Sequence, residues 1–218
     1  MPDGFSNDTS TWRRRFPPFT TALIALNLAA FLLEIWIEAR TNFPLEKYGA
    51  LSRRGLQHGY FWQLLSFQFL HAGWLHLALN CWGIFVFGPP LEATLGKSRL
   101  ATLYLVSGVA GGALQVIGSM FSDLRFGGPV VGASAGVFGL VATFTQLFPE
   151  TRLTLLLFLV IPLRMTANRM LTVAAVITVV GIMFPNRLLG AHVAHAAHLG
   201  GLIAGIIFAR LFLRRFRV

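Results

Sequence analysis

The sequence predicts an all-α membrane protein built as one bundle of six transmembrane helices. Of its 218 residues, 55% are hydrophobic and only 12% are charged, whereas about a quarter of the residues in a soluble domain are charged. Several apolar runs approach the length of about twenty residues that a helix needs to cross the hydrocarbon layer. Prolines, glycines and basic residues interrupt these runs, and this pattern is typical of a protein that crosses the membrane several times.

The positive charge of the chain also indicates a membrane protein. The formal net charge of +10 comes from clusters of arginine and lysine that flank the apolar runs, where such residues orient helices and contact anionic lipids. We therefore expect a lipid bilayer as partner and no nucleic acid. The single cysteine, Cys81, excludes an intrachain disulfide.

The N-terminal part is predicted to contain a tail, one span and a long loop. Residues 1–18 are polar and then basic, and we expect them to form a tail that ends at the membrane. They lack the apolar core of a cleavable signal peptide, so the first apolar run should stay in the mature protein. The first span is predicted over 19–37, with Glu34 near its far end, where the carboxylate can reach headgroups or water. Residues 40–70 are too polar to span and form a longer connection than two helices need. The aromatic stretch 59–65 indicates that this loop lies in the membrane interface.

Five further spans are predicted downstream. They cover His71 or Trp74 to Gly88, where Pro89-Pro90 should end the helix, and then 100–119, 131–148, 167–184 and 188–213. Residues 153–163 are apolar, but a helix of about 16 Å is too short to cross about 30 Å of hydrocarbon, so we expect a surface-lying or partly extended piece. Residues 19–213 then form the bundle domain, and 214–218 a basic tail.

Orientation follows from the positions of the cations. Twelve of the 18 lysines and arginines fall on the side that holds both termini, and six fall on the other side. Because cytoplasmic loops are enriched in these residues, both termini are predicted to be cytoplasmic. The long first loop and the starts of the second, fourth and sixth spans then lie towards the outside.

A serine and a histidine inside separate apolar runs are the candidate catalytic pair. Ser134 could bond back to its own helix, and His198 could be a structural histidine; if they are neighbours, they form a nucleophile and its base. Their predicted depths differ by about 10 Å, so pairing requires a late start of the sixth span or helix tilt. Gly201 lies on the same helical face as His198 and permits close approach of another helix.

The second span supplies the polar groups that a serine nucleophile also needs. His76 and Asn80 are four residues apart and therefore share one helical face. Polar side chains at membrane depth are costly and usually functional, and amide and imidazole donors can stabilise the oxyanion formed when a serine attacks a carbonyl. No Asp or Glu falls within the predicted spans two to six, so the pair would act as a dyad without an acid.

Three motifs on three predicted spans together resemble the rhomboid family of intramembrane serine proteases. They are Gly132-Ala133-Ser134, Ala197-His198-Leu199-Gly200-Gly201, and the pattern H-x4-H-x3-N formed by His71, His76 and Asn80. The resemblance extends from Phe19 to Leu213. It implies a six-helix fold with a water-accessible cavity that opens outward. It also implies that transmembrane segments of other proteins are cut near the outer interface, without a cofactor or metal, and a bacterial inner membrane is the expected location.

The resemblance assigns roles to individual residues. It implies Ser134 as nucleophile, His198 as base, and the Ser134 backbone amide with His76 and Asn80 as oxyanion hole. His71 and Trp62 would support the first loop, and Phe138 would stack on His198. Substrates would reach the site beside the fifth helix, under residues 184–190.

Three positions depart from the family pattern. Ala135 replaces the glycine that usually follows the serine and adds a methyl group near the oxyanion site. Gln63 replaces the arginine of a Trp-Arg pair, so that the arginine's anchoring bonds are missing. Phe138 replaces a common tyrosine and cannot donate a hydroxyl.

Other functions fit the sequence less well. One alternative is a metal-dependent membrane protein, because histidines recur every three residues at His192, His195 and His198. These side chains fan across about 120° of a helix, which strains ligation of one metal ion from a single helix, and no H-E-x-x-H motif accompanies them. A coupled transporter would carry acidic residues at mid-membrane or inverted repeats, and neither is found. The alternative closest to the resemblance is a rhomboid-like protein that binds client proteins without cutting them. The oligomeric state stays open.

Overall fold

The computed structural model describes residues 17–157, 161–184 and 193–214, most of which are helical. The helices are α1 (Pro18–Arg40), α2 (Leu45–Gly49), α3 (Arg53–Gln57), α4 (Gln63–Ser66), α5 (Trp74–Leu95), α6 (Lys97–Ser119), α7 (Asp123–Phe126), α8 (Ser134–Leu147), α9 (Ala167–Met183) and α10 (His195–Arg214). A 3-10 turn over Phe67–Phe69 follows α4, and the strands β1 (Arg152–Leu157) and β2 (Ile161–Thr166) lie between α8 and α9.

The long helices support a protein that crosses the membrane several times. Among the described residues, α1, α6 and α10 are long and apolar enough to span, and α4 with its 3-10 turn forms a fourth candidate together with α5, bent by 97°. Helices α8 and α9 are apolar but shorter. The bounds of α1, α6 and α9 agree closely with the predicted spans. The count of six spans stays a prediction.

Helices α6, α8 and α10 form the centre of the bundle, and glycines allow their backbones to touch. Gly200 of α10 lies against the backbone of Gly111 in α6, and Gly201 lies against the backbone carbonyl of Ala135 in α8. A side chain at any of these glycines would collide with backbone atoms, which cannot move aside. Gly201, on the face predicted around His198, therefore packs against α8, and these glycines fix how closely α10 approaches its neighbours.

Helix α5 runs further than the sequence indicated. We expected Pro89-Pro90 to end it at Gly88, but the helix continues to Leu95. Each proline removes a backbone donor and strains the preceding turn. The turn beyond them contains Glu92, a buried residue, which lies outside the predicted second span but inside α5.

Glu92 explains why the helix continues. Its carboxylate accepts hydrogen bonds from the backbone N–H groups of Phe19 (2.9 Å) and Thr20 (2.8 Å) and from the Thr20 hydroxyl (2.8 Å). These are donors of the first turn of α1, which have no acceptor inside their own helix, and the negative charge also suits the positive end of the helix dipole. The contact between α1 and α5 outweighs the local cost of the two prolines.

The first loop is a compact set of short helices. Gln63 is fully buried and accepts from the backbone N–H of Ser52 (3.2 Å) while it donates to the carbonyl of Lys47 (2.9 Å). Trp62 donates from Nε1 to the carbonyl of Tyr48 at 2.8 Å. Trp62 therefore ties the loop to itself, as a structural residue should. The arginine's bonds are absent at position 63, but the glutamine anchors the loop with these two hydrogen bonds of its own.

The connection between α8 and α9 is an antiparallel hairpin. Arg152 pairs with Thr166 and Leu155 with Leu163, so the apolar piece that we expected to be surface-lying or partly extended is extended throughout its described part. Among the described residues, these two strands are the only named departure from an all-α bundle. The predicted tails lie almost entirely outside the described residues, and so do residues 185–190 of the loop that the resemblance places over the site.

Candidate active site

Ser134 and His198 are in direct contact. The distance between Ser134 Oγ and His198 Nε2 is 2.8 Å, which is an ordinary hydrogen bond involving a hydroxyl. Ser134 is the first residue of α8, and α10 begins only at His195. The late start of the last helix, one of the two conditions set by the sequence, brings the imidazole level with the hydroxyl. With its proton on Nδ1, the ring can accept the serine proton at Nε2.

Two rings hold the imidazole of His198. Phe138, one turn after Ser134 in α8, stacks on it with centroids 4.3 Å apart and an angle of 7° between the planes. His195 meets it edge-on at 6.1 Å and 86°. The stacking on Phe138 agrees with the expected role. The sequence considered His195 only as a metal ligand, and its burial beside the base was not foreseen.

His76 and Asn80 of α5 lie against the segment that leads into Ser134. A Cβ built on Gly132 would sit 2.6 Å from His76 Nε2 and 3.7 Å from Asn80 Nδ2. Asn80 is buried, and its Nδ2 has no hydrogen-bond partner among the residues that the structure describes. A buried donor without a partner is costly, and a site that binds an anionic oxygen is one reason to keep it.

The N-terminus of α8 contributes a third donor. Ser134 opens the helix, so its backbone N–H is one of the first-turn groups that have no acceptor within the helix. The positive end of the helix dipole also favours negative charge at this place. The three groups that the resemblance assigns to the oxyanion hole are therefore donors gathered around one short segment.

The first loop holds that segment in place. Leu51 and Val130 exchange two backbone hydrogen bonds, at 2.9 and 2.8 Å, and Gly132 donates from its N–H to the carbonyl of Phe67 at 2.8 Å. Gly132 has a φ of +123°, a value that favours glycine. The loop that seemed too long for a connection thus supports the backbone next to Ser134.

His71 joins this scaffold to α1. Its backbone N–H donates to Glu34 Oε2 at 3.1 Å, its Nδ1 lies 3.3 Å from the carbonyl oxygen of Phe69, and its ring is 5.3 Å from that of His76. These contacts support the structural role expected for His71. Glu34 was expected to reach headgroups or water, and its carboxylate accepts from the backbone N–H of His71, three residues ahead of α5.

The methyl group of Ala135 lies against helix α6. Ala135 is buried, and its Cβ lies 2.6 Å from where a Cβ on Gly111 of α6 would be. The absent side chain at Gly111 leaves room for this methyl between the two helices, and its effect on the oxyanion site stays a prediction. The glycine missing after the serine is matched by a glycine on the facing helix.

Metal binding has no support in the part of the chain that the structure covers. Among residues 17–157, 161–184 and 193–214, no three His, Cys, Asp or Glu side chains are placed to share an ion. His192, the first residue of the histidine triplet, lies outside these residues.

An apolar bundle of several membrane-length helices, with a hydrogen-bonded serine and histidine inside it, defines a multi-pass membrane protein with the elements of a serine hydrolase site. A family model described as the Rhomboid domain matches residues 58–215, which is well over half of the chain. The chain belongs to the rhomboid family.

Curated relatives cover most of this chain. It is 31% identical over 177 residues to RHOMBOID-like protein 5 of Arabidopsis thaliana, which covers 78% of this chain and 50% of that protein. Rhomboid protease GluP of Bacillus subtilis is 29% identical over 194 residues (88% and 34%). Rhomboid protease GlpG of Yersinia pestis is 28% identical over 199 residues (91% and 64%). The chain thus spans about half the length of these relatives.

Proposed function

We propose that the protein is an intramembrane serine endopeptidase that cuts transmembrane segments of other membrane proteins near the outer interface. The observation that carries this proposal is the 2.8 Å contact between Ser134 Oγ and His198 Nε2 inside an apolar bundle. Membership of the rhomboid family supports it, as do the relatives that are named proteases.

The first half of the reaction forms an acyl-enzyme. Ser134 Oγ attacks the carbonyl carbon of the scissile peptide bond while His198 Nε2 takes the hydroxyl proton. The carbonyl oxygen becomes an oxyanion, which accepts hydrogen bonds from Asn80 Nδ2, His76 and the Ser134 backbone N–H. The tetrahedral intermediate then collapses, and His198 passes its proton to the leaving amine as the C–N bond breaks.

The second half releases the other product. A water molecule gives a proton to His198 and attacks the ester carbonyl, and the proton returns to Ser134 Oγ as the ester bond breaks. No acid takes part in either half. The imidazole is oriented by stacking on Phe138 (4.3 Å) and by the close approach of α10 that Gly201 permits.

We further propose how the protein lies in the membrane. Helices α1, α5, α6, α8, α9 and α10 would be the six spans of a bundle over residues 19–213, with the first loop at the outer interface. Both termini would be cytoplasmic and the site would open outward, in a bacterial inner membrane. The partners would be the bilayer and transmembrane substrates, and the mechanism needs no cofactor.

Labelling with a fluorophosphonate tests the function directly. We expect one adduct per chain on Ser134, mapped by mass spectrometry, because only an activated serine attacks this reagent. Ser134→Ala should abolish labelling, and His198→Ala should slow it by orders of magnitude, while both variants keep the melting temperature of the wild type within a few degrees. A folded wild-type protein that takes no label, and leaves a transmembrane test substrate uncut, would support the client-binding alternative instead.

A further inference from the structure

The first turn of α10, which carries His198, needs acceptors for its backbone N–H groups. His195 donates to the carbonyl of Val193 (2.9 Å) and His198 to that of Ala194 (3.2 Å). The N–H of Ala197 instead donates to a side chain of another helix, at 3.2 Å to Gln115 Oε1 in α6. The residue directly before the proposed base is therefore held from outside its own helix.

The amide of Gln115 is fixed at both ends. Besides accepting from Ala197, it donates from Nε2 to the carbonyl of Phe126 in α7 at 3.2 Å. Gln115 is 5% exposed, so water does not compete strongly for either bond. Since one end accepts from an N–H and the other donates to a carbonyl, the amide has a single favourable orientation.

Helix α6 holds the other side of Ala197 as well. One turn before Gln115, the backbone of Gly111 faces Ala197, and a Cβ at Gly111 would overlap the Ala197 carbonyl oxygen. The N–H of Ala197 is thus held by a side chain of α6, and its carbonyl lies against the backbone of the same helix. We call these two contacts the Ala197 clamp.

We propose that Gln115 is a positioning residue for His198. Through the Ala197 clamp it fixes the position of the first turn of α10 relative to α6, so that His198 Nε2 meets the hydroxyl of Ser134. This inference rests on the proposed function. It gives α6 a part in catalysis although the hydrogen bond of Gln115 goes to Ala197 and not to Ser134 or His198. A displacement of about 1 Å between reacting groups can cost roughly 100-fold in rate.

A second buried glutamine provides the matched control. Gln68 is fully buried and faces Gly108 of α6, the helix that also carries Gln115. Among the described residues, the one bond of its amide is donated to the carbonyl of Leu64, four residues earlier (3.1 Å). Replacing either glutamine by methionine removes an amide and keeps the length of the side chain. A purely structural role predicts similar effects for the two changes, whereas positioning predicts a loss of rate only at Gln115.

The test compares Gln115→Met, Gln115→Glu and Gln68→Met in the full chain, on folded protein. We expect Gln115→Met to slow fluorophosphonate acylation of Ser134 about 10-fold or more and to lower kcat for a transmembrane substrate without raising KM. Gln115→Glu should stay within about threefold of the wild type, because its carboxyl oxygen still accepts from the Ala197 N–H. Gln68→Met should keep the wild-type rate. Equal losses in Gln68→Met and Gln115→Met, or a rate for Gln115→Glu as low as that for Gln115→Met, would overturn the proposal.

Hydrogen exchange separates this proposal from the proposed function. In Gln115→Met, the peptide that contains Ala197 should exchange its amide hydrogens faster than in the wild type, and it should not do so in Gln68→Met. An inert wild-type protein would refute the proposed function and leave this measurement to decide on the clamp. Unchanged exchange in Gln115→Met would refute the clamp whatever the activity.

Discussion

At the scale of single residues, the site combines a formed hydrogen bond with a buried donor that has no partner among the described residues. The Ser134–His198 pair is satisfied internally, whereas the amide of Asn80 is buried and its Nδ2 has no partner among the described residues. Stability alone would favour a partner for this donor, since a buried donor that is unpaired costs roughly 1–3 kcal/mol. An open donor next to a nucleophile suits a ligand that arrives only during the reaction.

Asn80→Ala should therefore separate activity from stability. We expect kcat to fall about 100-fold, equivalent to about 2–3 kcal/mol of transition-state stabilisation, with little change in the melting temperature because no protein hydrogen bond is lost. Asn27→Ala is the matched control: Asn27 is equally buried, but it donates to the carbonyl of Leu23 at 2.8 Å. That variant should melt earlier and retain kcat. An unchanged kcat in Asn80→Ala would exclude Asn80 from the oxyanion hole.

Phe138 should matter through its ring. Because the ring stacks on His198, Phe138→Leu should slow acylation of Ser134 by about 2- to 10-fold, as expected for the loss of an aromatic contact of about 0.5–1.5 kcal/mol. Phe138→Tyr keeps the ring and should react at close to the wild-type rate. A faster or unchanged Phe138→Leu would show that the stacked ring does not orient the base.

The sequence predicted which serine and which histidine could meet, and the structure brings them into contact, but the sequence did not predict the residues that hold them. Ser134 and His198 stand out because polar side chains are rare in apolar runs. Gln63 and Gln115 are also polar residues in such surroundings, but their acceptors and donors are backbone groups of distant segments. No spacing along the chain indicates such pairs.

At the scale of elements, the starts and ends of the helices decide the geometry of the site. The sixth span was predicted from hydrophobicity to begin at 188, but α10 starts at His195, and this moves the imidazole towards the end of its helix. Hydrophobicity measures where a segment can lie and not where its hydrogen bonds begin. The expectation drawn from proline fails at Pro89-Pro90, where the carboxylate of Glu92 binds the first turn of α1 and keeps α5 helical.

Loss of the Glu92 carboxylate should loosen α1. Glu92→Ala leaves two backbone donors and one hydroxyl of α1 without acceptors, so we expect the free energy of unfolding to fall by about 3 kcal/mol or more. Glu92→Gln keeps one acceptor oxygen and should lose clearly less. Thermal unfolding in detergent measures both. If the alanine and glutamine variants melt together, the bonds to α1 do not account for the stabilisation.

At the scale of the whole molecule, composition and apolar runs predicted a multi-pass bundle, and the structure supports it with three or four membrane-length helices in its described part. The hairpin of β1 and β2 was not foreseen as a pair of strands. Its residues form one apolar run with no visible turn signal, and the pairing of Arg152 with Thr166 depends on the ends of α8 and α9 lying side by side.

Reporter fusions test the predicted orientation. We expect green fluorescent protein joined after Val218 to fluoresce and alkaline phosphatase at the same place to be inactive, because the basic residues that close α10 favour the cytoplasm. Phosphatase inserted in the first loop after Gln57 should be active. The reverse pattern at either position would contradict the outward-facing site.

The backbone turn just ahead of Ser134 sets a limit on how far this protein can diverge. At position 132 any residue with a side chain meets two separate obstacles, a dihedral angle of +123° and the imidazole of His76. A smaller residue at position 76 would remove only the second obstacle, so no single change elsewhere allows a side chain at position 132. Screening every codon at this position for thermal stability should recover glycine alone, even in a background that already carries a smaller residue at 76.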